Sequence, residues 1–310
     1  MRKFNIDFYK NKKIFFIISI AIIVVGLVCN LIFGTQLDIQ FAGGAMIKYS
    51  VDGDVDSNEI DGLVEEVTGR LVSVTTNQTI GSGEYQVTVS FAGNKGVTLE
   101  EQQAIAEELS AAYEDRTFGV VESSSVDPTM GARFFQKCLV CLLITFVLLM
   151  IYIALRFRKI GGFTAGVTAI IALLHDVVIV YFAFVIFGFP INDIFIAVIL
   201  TILGYSLNDT IVIYDRVREN RKLAGTNSPD ALPGIINKSL NQTMLRSILT
   251  SVTTFLALLV IYIVAAIYGL TTVTTFALPM MVGVVVGCYS SLCIAAPLYA
   301  MWTIKKAQKK

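Results

Sequence analysis

Histidine is almost missing from this chain: there is one, His175, among 310 residues. Charge is scarce too. Asp, Glu, Lys and Arg make up 15% of the residues, and the formal net charge is zero. That neutral balance gives a nucleic-acid partner no electrostatic support. The five cysteines, Cys29, Cys138, Cys141, Cys288 and Cys293, all lie in apolar runs, so no disulfide framework is expected. Cys138 and Cys141 have C-x-x-C spacing. With no second such pair and a single histidine, they read as small packing residues and not as metal ligands. The hydrophilic part of the chain holds no Ser-His-Asp set, Gly-rich phosphate loop or metal cluster. The expectation is a protein with no catalytic residues, no metal and no cofactor.

What the chain has in excess is apolar length. Hydrophobic residues make up 55% of it. Six runs approach the ~20 residues a helix needs to cross a ~30 Å bilayer core. They are Ile14–Phe33, Cys138–Leu155, Thr164–Phe187, Ile194–Ile213, Ser247–Tyr268 and Val273–Trp302. The last is long enough that it must tilt, bend at Pro279 or Pro297, or extend into the interface. The first exceeds a signal-peptide core and no small-x-small cleavage site follows Phe33, so it reads as a retained span.

Basic residues cluster before span one (Arg2, Lys3, Lys10, Lys12, Lys13) and between spans two and three (Arg156, Arg158, Lys159). They recur between spans four and five (Arg216, Arg218, Arg221, Lys222, Lys238) and at the end (Lys305, Lys306, Lys309, Lys310). Threading six spans puts all four clusters on one side, which the positive-inside rule makes cytoplasmic. The expected organisation is a cytoplasmic segment 1–13, span one at 14–33 and an external domain 34–133. Spans two to six follow at 134–302 with a basic cytoplasmic loop 214–246, then a cytoplasmic end 303–310.

The external stretch is strongly acidic, with bursts at Asp52–Glu66 and Glu100–Asp115. "AMIKYSV" alternates as a strand does. "DSNEIDGLVEEVTGR" predicts a helix capped by Asp56 or Ser57, with Ile60, Leu63, Val64 and Val67 on one face. "RLVSVTTNQT" and "EYQVTVSF" predict strands around the turn "IGSG". Thr98 and Glu101 form a capping box for a second helix, and "FGVVESSSV" predicts a last strand. The order is β-α-β-β-α-β, a ferredoxin-like α+β pattern on a six-span helical membrane protein. That pattern alone assigns no function.

Ionisable residues inside spans cost about 2.5 kcal/mol or more and mark pathways. Asp209 in span four has Tyr205 and Ser206 at helical spacing, so the three are expected to share a face. Gly204 permits a close neighbour there. Asp209 is read either as a proton acceptor or as a structural tie to another helix. Arg246 opens span five, and Ser247, Thr250, Ser251 and Thr254 form a polar stripe leading inward from it. Arg246 either approaches Asp209 or reaches out to lipid phosphates. His175 and Asp176 sit mid-span as relay candidates. Adjacent residues point about 100° apart, so the pair is not expected to face one partner. Tyr214-Asp215 with a second intramembrane Asp is a feature of intramembrane aspartyl proteases. Those need Gly-x-Gly-Asp on a partner helix, and here Leu207-Asn208-Asp209 lies on the same helix. Gly283-x-x-x-Gly287, followed by Ser290 and Ser291, predicts tight helix packing.

Four stretches together resemble the SecF family, the smaller membrane subunits of the bacterial SecD–SecF protein-export complexes in the RND superfamily. Asp38-Ile39-Gln40-Phe41-Ala42-Gly43-Gly44 resembles the family's Asp-Phe-x-Gly-Gly element. Ser125-Val126-Asp127-Pro128-x-x-Gly131 resembles its Val-Gly-Pro element, with Asp127 in place of the usual Gly. "LGYSLNDTIVIYDRVREN" (203–220) and "INKSLNQTMLRSILTSVTTFLALL" (236–259) are similar to its fourth and fifth spans. The resemblance implies half of a twelve-helix assembly completed by SecD, working beside SecYEG and YajC in the bacterial cytoplasmic membrane. It implies use of the proton-motive force to move preproteins beyond the SecA-driven step. Proton coupling would fall to Asp209 and Arg246, with Asn208 a polar neighbour and Tyr205, Ser206 and Thr250 along the path. Two other readings stay open: an RND-like transporter half for a lipid or small molecule, and a scaffold whose SecD-type partner does all the coupling.

Overall fold

The computed structural model describes residues 6–308 except 54, 71, 79–83, 93–95, 114–115, 127, 226–227, 229–230 and 269. Arg2, Lys3, Lys309, Lys310, Asp127, the turn at 80–83 and the side chain of Pro128 lie outside what is described.

In chain order, α1 (Lys12–Phe33) leads through a single helical turn, α2 (Ile39–Ala42), into β1 (Gly44–Asp52), α3 (Ser57–Thr68), β2 (Val72–Gln78), β3 (Glu84–Ala92), α4 (Leu99–Ala112) and β4 (Gly119–Val126). The rest is helical: α5 (Pro128–Arg156), α6 (Gly162–Ile186), α7 (Asp193–Leu223), α8 (Leu232–Ile267), α9 (Thr271–Ser290) and α10 (Ala296–Gln308). A π-helical turn, Ser291–Ala295, joins the last two. Among the described residues, six helical segments are long and apolar enough to cross a membrane, with α9 and α10 forming one of them. The protein is multi-pass. Proline at 279 is absorbed within α9, whereas the last span widens just before Pro297. Pro297 has no N–H to donate to the carbonyl of Cys293, and a π turn is one way a helix passes such a gap.

α6, α7 and the last span form the interior of the bundle, while α1, α5 and α8 leave most of their apolar side chains exposed. α1 seats against α6 where Gly26 meets the Phe182 ring, and against the last span where Tyr289 donates to the Phe15 carbonyl (2.7 Å) and bonds the Ser19 hydroxyl (3.2 Å).

At one end of the bundle lies the α+β domain. Its sheet is antiparallel with strand order β2-β3-β1-β4, the ferredoxin-like arrangement. Ala45, Ile47, Tyr49 and Val51 alternate inward from β1 and meet Val87, Val89 and Phe91 of β3. Ile60 and Val64 of α3 and Ile105 and Leu109 of α4 close this core. Val67, expected on the same face, is exposed. The Thr98–Glu101 capping box opens α4. On the sheet's other face, Lys48 pairs with Glu122 across β1 and β4 at 2.6 Å.

The opposite end carries the basic residues, and there the sequence reading needs correction. Most of the segment 214–246 is helical: α7 continues to Leu223 and α8 begins at Leu232. Val217, Leu232, Ile236, Leu240 and Met244 recur at helical spacing and are buried. Asp215–Arg218 and Arg216–Glu219 pairs, both at 2.6 Å, brace α7, and the Asn220 amide donates to Ser239 (2.9 Å) and Gln242 (2.8 Å) across the hairpin. The chain before α1 docks on this hairpin. The Ile6 N–H donates to Asn241 Oδ1 (2.9 Å), the Tyr9 N–H donates to Asn237 Oδ1 (3.0 Å), and Phe8 is buried.

Candidate functional site

The polar residues of the bundle divide over two faces of α7. Ser206, Thr210 and Tyr214 recur every four residues and face α6 and the last span. Ser206 Oγ donates to Asp176 Oδ2 (2.7 Å), and Ser290 Oγ donates to the same oxygen (2.8 Å). His175 Nδ1 lies 3.1 Å from Asp176 Oδ1. The Thr210 and Ser291 hydroxyls bond each other (2.8 Å), as do those of Tyr214 and Thr168 (2.8 Å). Asp176 is completely buried, and His175 nearly so with Nε2 unpartnered. His175 and Asp176 turn toward each other, and beyond that pair they meet different groups: Asp176 meets Ser206 and Ser290, and the His175 ring lies near that of Tyr289.

Glycine makes this contact possible. A Cβ on Gly287 would come within 2.9 Å of the Ser206 Cβ, and one on Gly283 within 2.1 Å of Ile202. The small-residue stripe of α9 therefore draws α7 in until Ser206 reaches Asp176. Gly204 does no such thing. Its missing Cβ would meet nothing within 4 Å and it lies on an exposed face, so among the described residues the close neighbour expected there is absent.

The second face of α7 looks toward α8. Tyr205 Oη donates to Ser251 Oγ (3.3 Å), and one turn on, Asp209 stands beside Ser247. Both Asp209 and Ser247 are buried, yet neither Asp209 Oδ2 nor Ser247 Oγ completes a hydrogen bond of ordinary geometry. Ser206 is thus not on the face of Asp209, because a one-residue step on the helix carries it toward Asp176 instead. Tyr205 is.

Arg246 does not open α8. It sits roughly four turns in, because the helix starts early. It is exposed, and among the described residues no ion pair within 4 Å joins it to Asp209, although its charge acts on that carboxylate. Of the polar stripe beyond it, Ser247 and Ser251 are buried. Thr250 and Thr254 return their hydroxyls to the carbonyls of Arg246 (2.9 Å) and Thr250 (3.0 Å). Asn208 points away from the bundle. Asp215 is half-buried between Arg218 and Arg156, on the hairpin and away from Asp209.

Reading the residues alone missed Ser290 as a partner of Asp176, and the Thr210–Ser291 and Thr168–Tyr214 pairs along the same face of α7. The four-residue spacing of Ser206, Thr210 and Tyr214 was the available signal.

The domain-side motif residues also meet. Asp38 accepts the Gln40 N–H (2.9 Å) and caps α2. Burial raises the Asp38 carboxyl above the usual carboxylate range. The Gln40 N–H opposes that shift, the charge of Asp193 adds to it, and the Asn192 side chain counters it. Phe41 is buried against the rings of Phe134 and Phe135 at the start of α5. Gly131 passes the Phe41 carbonyl so closely that a Cβ would lie 3.0 Å away, and one on Gly44 would lie 2.4 Å from the Phe91 carbonyl. Gly43 and Gly44 both have positive φ, at 77° and 141°.

Comparison with known proteins agrees with this layout. Residues 105–305 match the family described as "Protein export membrane protein SecD/SecF, C-terminal". The protein translocase subunit SecF of Petrotoga mobilis is 32% identical over 308 residues, covering 98% of each chain. The protein translocase subunit SecDF of Bacillus subtilis is 32% identical over 98% of this chain, which spans only 39% of that protein. The crystal structure of SecDF from Thermus thermophilus, described as a translocon-associated membrane protein, superposes with a TM-score of 0.79 at 27% identity. That match covers 97% of this chain and 39% of the other.

Proposed function

The chain belongs to the SecD/SecF family of protein export membrane proteins, and on that premise we propose that it uses the proton-motive force to assist preprotein translocation. The observation that carries this reading is Asp209: a buried carboxylate with an unpartnered oxygen, beside a buried and unpartnered Ser247, one residue from Arg246. Such a carboxylate can take a proton on its free oxygen. Protonation removes its attraction for Arg246, and deprotonation restores it, so α7 and α8 have two preferred relations. A proton falling through ~100 mV releases ~2.3 kcal/mol, which biases a two-state element roughly fifty-fold.

The partner is a SecD-type subunit. Its supports are the relatives in which a SecDF chain continues well beyond the length of this one, and the exposed flank where Gly204, Asn208 and Arg246 lie. SecYEG, YajC, SecA acting upstream, and the preprotein itself complete the working assembly. The basic end, with both termini, is assigned to the cytoplasm and the α+β domain to the outer side of the cytoplasmic membrane, by the distribution of Lys and Arg.

The test is precursor export in cells whose only copy carries Asp209→Asn, with membrane level and partner association measured alongside. Export is expected to slow while the complex assembles. Unchanged export would sink the coupling role and leave the scaffold reading.

A further inference from the structure

The segment that leaves α1 for the domain does not run free. The Ile191 N–H donates to the Gln36 carbonyl (2.8 Å) and the Asp38 N–H donates to the Ile191 carbonyl (3.1 Å), so Leu37 and Ile191 form a parallel β-bridge. Ile191 is buried, and it belongs to the turn between α6 and α7. The next residue, Asn192, caps α7 by accepting the N–H groups of Ile194 (3.0 Å) and Phe195 (3.3 Å). On the other strand of the bridge, Asp38 caps α2. Two adjacent caps, one on each side of a two-rung bridge, leave no slack between the head of α7 and the root of the domain. Just below, Tyr181 Oη donates to Asn30 Oδ1 (2.9 Å), tying the end of α1 to α6.

Besides the covalent links to α1 and α5 and the packing of Phe41 on Phe134 and Phe135, the domain root is thus held by this bridge to the head of α7, the helix that carries Asp209. We propose that Ile191 and Asn192 are positioning residues that make the head of α7 and the domain root one mechanical unit, so that a change of state at α7 reaches the domain through the α6–α7 turn. This rests on the coupling role of Asp209 only for what drives α7. The attachment itself stands apart from it.

The experiment compares Ile191→Pro, which removes the donor of one rung, with Ile191→Val, which keeps the donor and most of the packing. In the purified full-chain complex, amide exchange of residues 36–43 is followed by mass spectrometry. In cells, the protonophore-sensitive part of export is measured with complex assembly as a control. Ile191→Pro is expected to speed exchange at the root up to about tenfold, the worth of one backbone hydrogen bond, and to lose the protonophore-sensitive export with assembly intact. Ile191→Val is expected to behave as the wild type in both. Unchanged exchange in Ile191→Pro overturns the attachment, and faster exchange with undiminished export overturns its role in transmission. If Ile191→Pro fails in export while Asp209→Asn does not, the attachment stands and the coupling role of Asp209 falls.

Discussion

Two buried carboxylates lie on neighbouring helices and share no partner. Asp176 is held by Ser206, Ser290 and His175, three groups from two other elements and its own helix. Asp209 faces α8 beside Ser247, and among the described residues its Oδ2 completes no hydrogen bond of ordinary geometry. A carboxylate with every site filled fixes the helices around it, whereas one with an empty site can change its proton without breaking a scaffold. The difference follows from packing. Gly283 and Gly287 let α9 approach α7 to within contact distance, and the fully buried Asp176 accepts from Ser206 and Ser290 across that seam. On the α8 side, Tyr205 meets Ser251 and Asp209 stands beside Ser247, while Asn208 and Arg246 are exposed.

If this contrast is sound, Asp176→Ala has the largest effect on stability. It removes the acceptor of the buried Ser206 hydroxyl, one of the two acceptors of Ser290, and the partner of His175, at a cost of about 2–4 kcal/mol, visible as a lower thermal midpoint in detergent and lower membrane levels. Gly287→Ala comes next, at about 1–3 kcal/mol, because the new methyl must displace Ser206 and with it the bond to Asp176. A loss as large for Asp209→Asn would break the comparison. That variant is expected to change stability by less than ~0.5 kcal/mol, while export slows.

A smaller effect lies at the domain root. The Asp38 carboxyl is raised in the folded protein, first by burial, so the folded state binds its proton more tightly than the unfolded chain. Its contribution is complete at pH below the unfolded value and is lost as pH rises through the folded one. Stability of the root should fall across the range where carboxylates ionise, and Asp38→Asn should flatten that dependence in thermal scans. An unchanged slope would show that Asp38 does not sense its burial.

Much of the architecture was legible because its signals are local. Alternation along β1, the Thr98–Glu101 box and apolar runs of bilayer length need no partner to be read. The extent of α7 and α8 was missed because charges mask a helical stripe whose buried members, Val217, Ile236 and Leu240, stand among polar neighbours. The pairing of Ser206 was misjudged for a different reason. Spacing places it within reach of Asp209 along the helix, but only the rotation of α7 decides which neighbour each residue meets, and α9 sets that rotation. The Leu37–Ile191 bridge left no trace in composition, since backbone groups make it.

The seating of α1 sets an order in time. Phe15 and Ser19 find Tyr289 only across 274 and 270 residues of sequence. At about 5–20 residues per second of synthesis, roughly 14–54 s pass between the making of the first helix and of the residue that fastens it. Its partners on α6, Phe182 against Gly26 and Tyr181 on Asn30, are made well before that, so α1 gains its neighbours in stages. The largely apolar surface of α1, most of which stays uncovered in the finished bundle, suits a helix that enters the bilayer before any of them.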